Sequence, residues 1–308
     1  MAPTAHLDSG PMKVPYERFT IEVEGQQLVC GRWGSGDQVA VASHGITANH
    51  LSWQLVGEQL GELSGVHSLV AIDHRGRAGS AAAAGPFGLA THADDVVAVL
   101  NHLGLDSAPL VGHSMGGFVV ATAAERHQAR VERLILVDGG LPFPFELPTD
   151  VDVEEVVRSV IGPALDRLDQ RWPDVEAYLE LFRGHPAFVV PNEWTTAAEA
   201  YVRYDAVTTD GGMIRSSVNK EAVLVDGGAA IVDPSAAASI ERISTAATLL
   251  WAPRGILDQK PGLYTAAHVE QATARLAHLD ARLVDDSNHY TITVGHHGAR
   301  TVAEAIVD

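Results

Sequence analysis

The sequence predicts an α/β protein in which a mostly parallel sheet is covered by helices on both faces. From Gln38 onward, apolar strand-like runs alternate with helical stretches. Continuous apolar strands separated by helices are typical of parallel sheets that are buried on both sides. The alternation stops between Leu141 and Ser235, so we also expect a helical insertion that lies on this sheet.

Two β-rich runs precede the alternating region. Glu17–Glu24 alternates apolar and polar residues, Gln26–Trp33 follows directly after Gly25, and together they predict an antiparallel hairpin. The strands predicted after this hairpin are Val39–Ser43, Ser68–Asp73, Ala108–Gly112, Leu134–Asp138, Thr248–Ala252 and Arg282–Val284. The predicted helices are Ala48–Leu63, Thr91–Leu103, Met115–His127, Thr265–Leu276 and Ala299–Val307. This order favours one large α/β domain whose core is formed by residues 15–140 and 236–308.

The helical insertion, residues 141–235, is punctuated by proline at both ends. Pro142, Pro144 and Pro148 lie at its start, and Asp233-Pro234 lies near its end. Proline is common where regular structure begins or stops, so these positions mark the limits of the insertion. At the other end of the chain, we expect residues 1–14 to form a mobile leader.

The acidic charge balance excludes several classes of partner. The 308 residues include 39 acidic and 21 basic side chains, which gives a formal net charge of −18 at pH 7. Such a surface repels phosphate backbones and anionic membranes, so we expect neither nucleic-acid nor membrane binding. We recognise no export signal and no membrane-spanning run. The single cysteine, Cys30, fits a reducing compartment, and we expect a cytoplasmic protein.

The strongest local signal is Gly112-His113-Ser114-Met115-Gly116-Gly117, which follows an apolar run and opens an apolar helix. The G-x-S-x-G pattern in this strand–turn–helix context predicts a nucleophilic serine on a sharp turn. The flanking glycines let strand and helix approach without Cβ clashes, and the helix start directs N–H groups toward developing negative charge. We therefore predict Ser114 as the nucleophile and the Met115 amide as one oxyanion donor.

Three further segments fall where such a site needs them. Val39–Ser43 runs into His44-Gly45-Ile46, and we assign the other oxyanion donor to the Ile46 amide. His289 lies on a loop after the last predicted strand, where a general base can reach Ser114. Asp73-His74-Arg75-Gly76-Arg77 ends another strand. We interpret this third segment as architecture, a capped turn with a supporting arginine.

The order of these motifs resembles the α/β-hydrolase fold superfamily. The resemblance rests on the strand before His44-Gly45, the D-x-R-G turn, the G-H-S-M-G-G elbow, the helical insertion and the late loop histidine, and it covers Glu17 to the end. It implies an eight-stranded sheet with one antiparallel strand, a helical cap domain (residues 141–235) inserted after the sixth strand, and a Ser–acid–His triad. One departure is Ala78, which stands where the usual pattern has its second glycine.

Two aspartates are candidates for the acid of this triad, which orients the histidine and stabilises its imidazolium form. Asp258 follows the seventh strand, the commoner position in the superfamily, although Gly255 comes later in this loop than usual. Asp138 ends the sixth strand, where some members carry the acid and where an aspartate also serves as a strand-end cap. The sequence leaves both open, with a slight preference for Asp258.

The nucleophile type predicts the reaction. A serine with a histidine base transfers an acyl group to water through an acyl-enzyme, whereas superfamily members with an aspartate at this position are dehalogenases or epoxide hydrolases. We therefore predict hydrolysis of a small hydrophobic carboxylic ester or lactone in a fairly large apolar pocket under the cap. The candidate pocket residues are Trp172, Trp194, Tyr201 and Tyr204.

Two alternatives remain open at this point. C–C bond hydrolysis of a diketone- or dienoate-type acid requires cationic groups, for which Arg203 and Arg215 of the cap are candidates. A non-catalytic ligand receptor with the same fold belongs to a different functional class. The sequence has neither metal-ligand spacing nor a nucleotide-binding glycine motif, so we expect no metal and no cofactor.

Overall fold

The computed structural model describes residues 14–143, 152–189 and 194–308. These residues form ten strands, namely β1 (Tyr16–Val23), β2 (Gln26–Trp33), β3 (Gln38–Ser43), β4 (His67–Ile72), β5 (Ala108–His113), β6 (Val131–Val137), β7 (Ala206–Thr208), β8 (Ile214–Ser216), β9 (Ala247–Trp251) and β10 (Leu279–Leu283). Eight of them form one sheet in the order β1-β2-β4-β3-β5-β6-β9-β10. β2 is antiparallel to β1 and β4, and the other neighbours pair in parallel.

The same residues form eleven α-helices, with short 3₁₀ turns between some of them. They are α1 (Gln54–Leu63), α2 (Leu89–His102), α3 (Met115–Arg126), α4 (Val153–Arg167), α5 (Val175–Arg183), α6 (Thr196–Asp205), α7 (Lys220–Gly227), α8 (Pro234–Ala237), α9 (Ala266–Arg275), α10 (Thr291–Val294) and α11 (His296–Val307). The alternation of strands and helices that the sequence predicts is confirmed by this order.

The helices cover both faces of the sheet because alternate strand residues point to opposite sides. Leu69 and Ala71 of β4 belong to a buried cluster that also contains residues of α1 and α11. Val70 and Ile72 belong to a second cluster, which contains residues of α2 and α3. All four side chains are fully buried, as expected for a strand inside a doubly covered sheet. The predicted α/β-hydrolase fold is confirmed.

Between β6 and β9 the chain leaves the main sheet and forms helices α4–α8. Polar side chains start all five of these helices by accepting hydrogen bonds from amides in the first turn. These N-cap residues are Asp152, Asp174, Thr195, Asn219 and Asp233. The segment also contains the antiparallel hairpin β7–β8. The sequence did not predict this hairpin, because strands of three residues are too short to show an alternating pattern.

Several element ends differ from the sequence expectations, for example those of the first helix and the last strand. The helix predicted over Ala48–Leu63 begins at Gln54, after a 3₁₀ turn that starts on the side-chain cap of Asn49. The last strand is Leu279–Leu283 rather than Arg282–Val284, because exposed residues interrupt the apolar pattern of this edge strand.

Some of the sequence expectations fall on residues that the structure does not describe. Most of the predicted leader (residues 1–13) and the prolines at 144 and 148 lie outside the described residues. In the part of the chain that is described, no helix has the length and apolar character needed to cross a membrane.

Candidate active site

Ser114 lies on a sharp turn between β5 and α3. Its backbone has φ 56° and ψ −122°, a conformation that is costly for a residue with a Cβ atom. The turn depends on close backbone contacts that only glycine permits. A Cβ atom on Gly112 would lie 2.1 Å from the Gly116 carbonyl oxygen, and one on Gly116 would lie 2.1 Å from the Ser43 carbonyl oxygen. The predicted elbow is therefore present, and it holds the serine clear of the sheet.

A hydrogen-bonded chain of three side chains includes this serine. The Nε2 atom of His289 lies 3.1 Å from Ser114 Oγ, and the Nδ1 atom of His289 lies 2.7 Å from Asp138 Oδ2. The other oxygen of Asp138 accepts a 3.1 Å hydrogen bond from the Ala252 amide. Asp138 is fully buried and His289 is 6% exposed. The carboxylate is thus fixed in position, and it holds the imidazole with Nε2 directed at the serine.

Asp258, which the sequence slightly favours as the acid, has other partners. Its Oδ1 atom accepts hydrogen bonds from Arg254 Nε at 2.7 Å and from Asn288 Nδ2 at 2.9 Å. The preference for Asp258 is therefore corrected by this geometry, which joins Asp138 to the histidine. The physical reason is the loop after β9. Pro253 and a late Gly255 lengthen this loop, and its aspartate reaches the residue before His289 instead of the ring.

Asn288 anchors the loop that carries His289. Its Oδ1 accepts hydrogen bonds from the amides of Tyr290 and Thr291, both at 2.9 Å. Its Nδ2 donates to Asp258 and also to the Ala187 carbonyl oxygen, the latter at 3.0 Å. Asn288 is fully buried, and these four bonds use its side-chain hydrogen-bonding capacity. Asp258 therefore supports the loop that carries His289 by accepting a hydrogen bond from Asn288, the residue before His289.

A second contact to this loop comes from the elbow itself. His113 Nε2 lies 2.8 Å from the carbonyl oxygen of His289. Burial, together with the neighbouring His289, lowers the pKa of His113 well below its ordinary value. The ring is therefore neutral, and its Nε2–H donates to that carbonyl. Because His113 directly precedes Ser114, this bond connects the elbow to the backbone at His289.

The loop after β3 is held by its own histidine. His44 Nδ1 lies 2.7 Å from the Gly45 carbonyl oxygen, and His44 Nε2 accepts a 3.1 Å hydrogen bond from the His74 amide. Burial lowers the pKa of His44 to about 3, so the ring is neutral and Nδ1 carries the hydrogen. Since a peptide group is planar and trans, fixing the Gly45 carbonyl also fixes the direction of the Ile46 N–H.

The loop also lies close to the Ser114 side chain. A Cβ atom on Gly45 would lie 3.2 Å from Ser114 Cβ and 3.6 Å from Ser114 Oγ. Within the described residues, the backbone amides of Ile46 and Met115 donate no hydrogen bond to protein groups. Both predicted oxyanion donors are therefore free to bind a ligand oxygen.

The D-x-R-G segment supports the strand ends, in line with its interpretation as architecture. The buried carboxylate of Asp73 accepts hydrogen bonds from the His50 amide at 2.7 Å, the Gly79 amide at 3.0 Å and the Tyr204 hydroxyl at 2.8 Å. Arg75 donates two 2.8 Å hydrogen bonds to Asp95. None of Asp73, Arg75 and Asp95 lines the cavity beside Ser114.

A narrow cavity opens beside Ser114 and His289. About 40 Å³ of it is open to the centres of water-sized molecules, so it is smaller than the sequence suggests. Its lining, in the described part of the chain, contains no lysine, arginine, aspartate or glutamate. The lining is apolar apart from hydroxyl groups and the site's own histidines, and it includes Ile46, Ile161, Tyr201, Ile256, Tyr290 and Val294.

Of the four predicted pocket residues, only Tyr201 lines this cavity. Trp172 packs against Tyr178 inside the cap, with ring centroids 4.6 Å apart. Trp194 packs against Phe188, and Tyr204 donates to Asp73. These three aromatic residues belong to the packing of the segment between β6 and β9 and to its junction with the main sheet. Aromatic composition alone does not distinguish a packed side chain from a lining one.

The cationic candidates of the cap also have structural partners. Arg203 is exposed and donates to Glu199 at 2.7 Å. Arg215 donates to the carbonyl oxygen of Ser216 at 2.8 Å. Sequence reasoning missed Tyr290, which lines the cavity directly after His289 in the chain. Its position next to the catalytic-loop histidine is the signal that identifies it.

Comparisons with known proteins show which proteins this chain resembles in sequence and fold. A family model described as alpha/beta hydrolase fold matches residues 41–197, just over half of the chain. N-formylmaleamate deformylase of Pseudomonas putida is 32% identical over 158 residues, which are 48% of this chain and 57% of that protein. A non-heme haloperoxidase of Rhodococcus erythropolis is 31% identical over 137 residues, 44% of this chain and 46% of that protein. The chain spans about half the length of the curated relatives it matches.

Solved structures extend the likeness to nearly the whole chain. E-2-(acetamidomethylene)succinate hydrolase has a TM-score of 0.75 at 19% identity, covering 95% of this chain and 98% of that one. The N-formylmaleamic acid deformylase of Pseudomonas putida has a TM-score of 0.63 at 17% identity, covering 93% and 99%. At such identities the likeness shows the fold alone. Together with the family match, it shows that this chain belongs to the α/β-hydrolase fold family.

Proposed function

We propose that this protein is a serine hydrolase that cleaves its substrate through an acyl-enzyme. The observation that carries the proposal is the unbroken hydrogen-bonded chain from Ser114 through His289 to Asp138. Serine is a weak nucleophile unless a neighbouring base removes its proton, and a buried carboxylate keeps that base in the required orientation. This chain has all three groups within hydrogen-bonding distance.

The reaction would proceed in two steps. Ser114 Oγ attacks the substrate carbonyl carbon while His289 Nε2 takes the hydroxyl proton, and His289 then returns this proton to the leaving group. The amides of Ile46 and Met115 bind the oxyanion, a contribution worth roughly 10²–10³ in rate for each donor. Water, deprotonated by His289, then attacks the acyl-enzyme, releases the acid and restores Ser114.

The cavity supports a small, uncharged acyl group in a carboxylic ester or lactone. Its apolar lining favours hydrocarbon, and a charged group placed there would lose its hydration without gaining a partner of opposite charge. The net charge of −18 adds long-range repulsion of anionic substrates. The surface ion pair of Arg203 gives no support to the C–C hydrolase alternative, which needs a cation inside the pocket.

Hydrolysis of a small amide or carbamate is a second candidate, and the relatives favour it. One relative is named as a deformylase that acts on N-formylmaleamate, and RutD of Caulobacter vibrioides, 30% identical over 162 residues, is named as a carbamate hydrolase. Both names describe carbonyl groups bound to nitrogen. The same triad can act on them, because His289 can protonate a leaving nitrogen as readily as a leaving oxygen.

A fluorophosphonate probe tests the proposal directly. We expect the wild-type protein to lose activity as Ser114 becomes labelled, and Ser114→Ala to remain unlabelled. Failure to label the folded wild-type protein would overturn the enzyme assignment and leave the receptor alternative. Initial rates with acetate and butyrate p-nitrophenyl esters, small lactones, N-formyl amides and dienoate acids then separate the candidates. Turnover of the dienoates alone would contradict the ester, lactone and amide proposals.

A further inference from the structure

A buried carboxylate of the cap connects to the oxyanion loop through one arginine. Asp226 lies on α7, within the segment inserted between β6 and β9. Its Oδ2 atom lies 2.6 Å from Arg77 Nη1. Arg77 in turn donates to the carbonyl oxygen of Ile46 from Nε at 3.1 Å and from Nη2 at 3.0 Å. Arg77 and Asp226 are both fully buried.

The guanidinium group of Arg77 connects the Asp226 carboxylate and the Ile46 carbonyl rigidly because it is planar. The Nε and Nη2 atoms of Arg77 donate to the Ile46 carbonyl oxygen. Its third nitrogen, Nη1, pairs with Asp226 and also donates to the Arg75 carbonyl oxygen at 2.9 Å. A fork of fixed geometry cannot rotate away from one partner without losing another. The position of the Ile46 carbonyl is therefore set by the position of the cap carboxylate.

Asp226 itself is held by two further groups. Its Oδ1 accepts a 2.6 Å hydrogen bond from the Gly88 amide at the start of α2, and its Oδ2 lies 2.9 Å from His92 Nε2. Burial opposes ionisation of this carboxyl, but Arg77 and His92 outweigh burial and lower its pKa to about 2. The carboxylate is thus charged and immobile at neutral pH.

The cap also contacts the same residue through its side chain. A Cβ atom on Gly227, the residue after Asp226, would lie 3.3 Å from Ile46 Cδ1. Helix α7 therefore constrains Ile46 in two ways. Its Asp226 carboxylate holds Arg77, which binds the Ile46 carbonyl oxygen, and its Gly227 contacts the Ile46 side chain directly. His44 fixes the preceding peptide from the core side. Residue 46 is the point at which the core and cap supports meet.

We propose that Asp226 is a positioning residue for the oxyanion loop and acts through Arg77. In this arrangement the cap completes the catalytic machinery as well as covering the pocket. Without the carboxylate, Arg77 would lose its buried counter-ion and turn from the Ile46 carbonyl. The Ile46 amide would then point less accurately at the developing oxyanion. This inference rests on the proposed serine hydrolase function and names a further residue that this function needs.

Asp226→Asn tests the inference, with Asp95→Asn as a matched control. Asp95 is as buried as Asp226 and pairs with the neighbouring Arg75, but Arg75 donates no side-chain hydrogen bond to Ile46. Both substitutions remove one buried carboxylate charge beside an arginine. We expect kcat for a small ester to fall about 10- to 100-fold in Asp226→Asn, with a smaller change in KM. We expect less than about a threefold change in Asp95→Asn.

A paired substrate distinguishes oxyanion positioning from general damage. A thionoester places sulfur, a weaker hydrogen-bond acceptor, where the ester has its carbonyl oxygen. An intact oxyanion hole therefore favours the oxygen ester, and a misaligned one favours it less. We expect the ratio of kcat/KM for ester over thionoester to fall in Asp226→Asn and to stay at the wild-type value in Asp95→Asn.

Arg77→Lys provides the second variant if Asp226→Asn does not fold. Lysine keeps the positive charge beside Asp226 but cannot hold both Asp226 and the Ile46 carbonyl, so the same ratio should fall. A wild-type ratio in a folded Asp226→Asn protein would overturn the inference, as would an equal fall in Asp95→Asn. Failure of the proposed function has a different signature, because wild-type protein would then show no Ser114-dependent turnover at all.

Discussion

The Nδ1 atom of His289 lies 2.7 Å from Oδ2 of Asp138, the residue that directly follows β6. Replacement of this aspartate by asparagine keeps its size but removes the charge that selects the histidine tautomer. We expect Asp138→Asn to lower kcat by about 10⁴. Asp258→Asn, which weakens only the support of Asn288, should cost less than about tenfold. Steady-state kinetics on one ester measure both, and a larger loss in Asp258→Asn would show that the acid is misassigned.

The space beside the nucleophile predicts the effect of a single methyl group at Gly45. A Cβ atom there would lie 3.2 Å from Ser114 Cβ and 3.4 Å from His113 Nδ1, tighter than ordinary van der Waals contact. We expect Gly45→Ala to lower kcat/KM about 100-fold while the protein stays folded. Gly65→Ala is the control, because no atom of the described residues, apart from its own chain neighbours, lies within 4 Å of its added Cβ. Wild-type activity in Gly45→Ala would place the oxyanion loop elsewhere.

Three neutral buried histidines predict how stability depends on pH. Burial lowers the pKa of His44 to about 3 and holds the pKa values of His74 and His113 well below the ordinary value. Below pH 6.5 the unfolded chain binds protons at these rings and the folded protein does not. The free energy of unfolding should therefore fall with decreasing pH, by up to about 1.4 kcal/mol per pH unit for each ring.

His92 changes the free energy of unfolding with pH in the opposite direction. Burial alone would lower its pKa, but Asp226 and Asp95 raise it above the ordinary value, so its contribution is present at low pH and is lost as the pH rises through the raised value. Urea titrations between pH 7 and pH 4.5 measure the sum. We expect His74→Gln to flatten the slope by about one proton. An equal slope in wild type and His74→Gln would contradict the assignment.

Tyr201 and Tyr204 lie on the same helix, but we expect one substitution to affect substrate binding and the other to affect stability. Tyr201 lines the cavity and its hydroxyl has no hydrogen-bond partner among the described residues, whereas the Tyr204 hydroxyl donates to buried Asp73. We expect Tyr201→Phe to change KM without lowering the melting temperature. Tyr204→Phe should lower the free energy of unfolding by roughly 1–3 kcal/mol and leave KM unchanged. Thermal unfolding and kinetics on both variants would reveal a reversal of these roles.

Features with short sequence separation could be predicted from the sequence, and features that depend on loop geometry could not. The elbow around Ser114 is fixed by glycines within two residues of it, so the pattern alone predicts its shape. The choice between Asp138 and Asp258 depends on the path of the loop after β9, where one proline and one displaced glycine decide which carboxylate reaches the ring. The link from Asp226 to Ile46 spans 180 residues of sequence and has no local pattern.

The aromatic residues of the cap show a different limit of prediction. Tyr201 and Tyr204 are three positions apart on one helix, and both look equally suited to line a pocket. The structure places Tyr201 at the cavity, whereas the Tyr204 hydroxyl donates to Asp73 in the core. The orientation of α6 about its own axis decides between these environments, and sequence periodicity does not report it.

The backbone conformation of Ser114, with φ 56° and ψ −122°, lowers the folding stability of the protein at the residue that the proposed activity requires. A residue with a Cβ atom in such a conformation costs of order 1–3 kcal/mol, and glycine adopts it with less strain. Ser114→Gly should therefore raise the melting temperature while abolishing turnover. Selection for thermal resistance alone would discard the nucleophile, so efforts to stabilise this protein need an activity screen beside the thermal one.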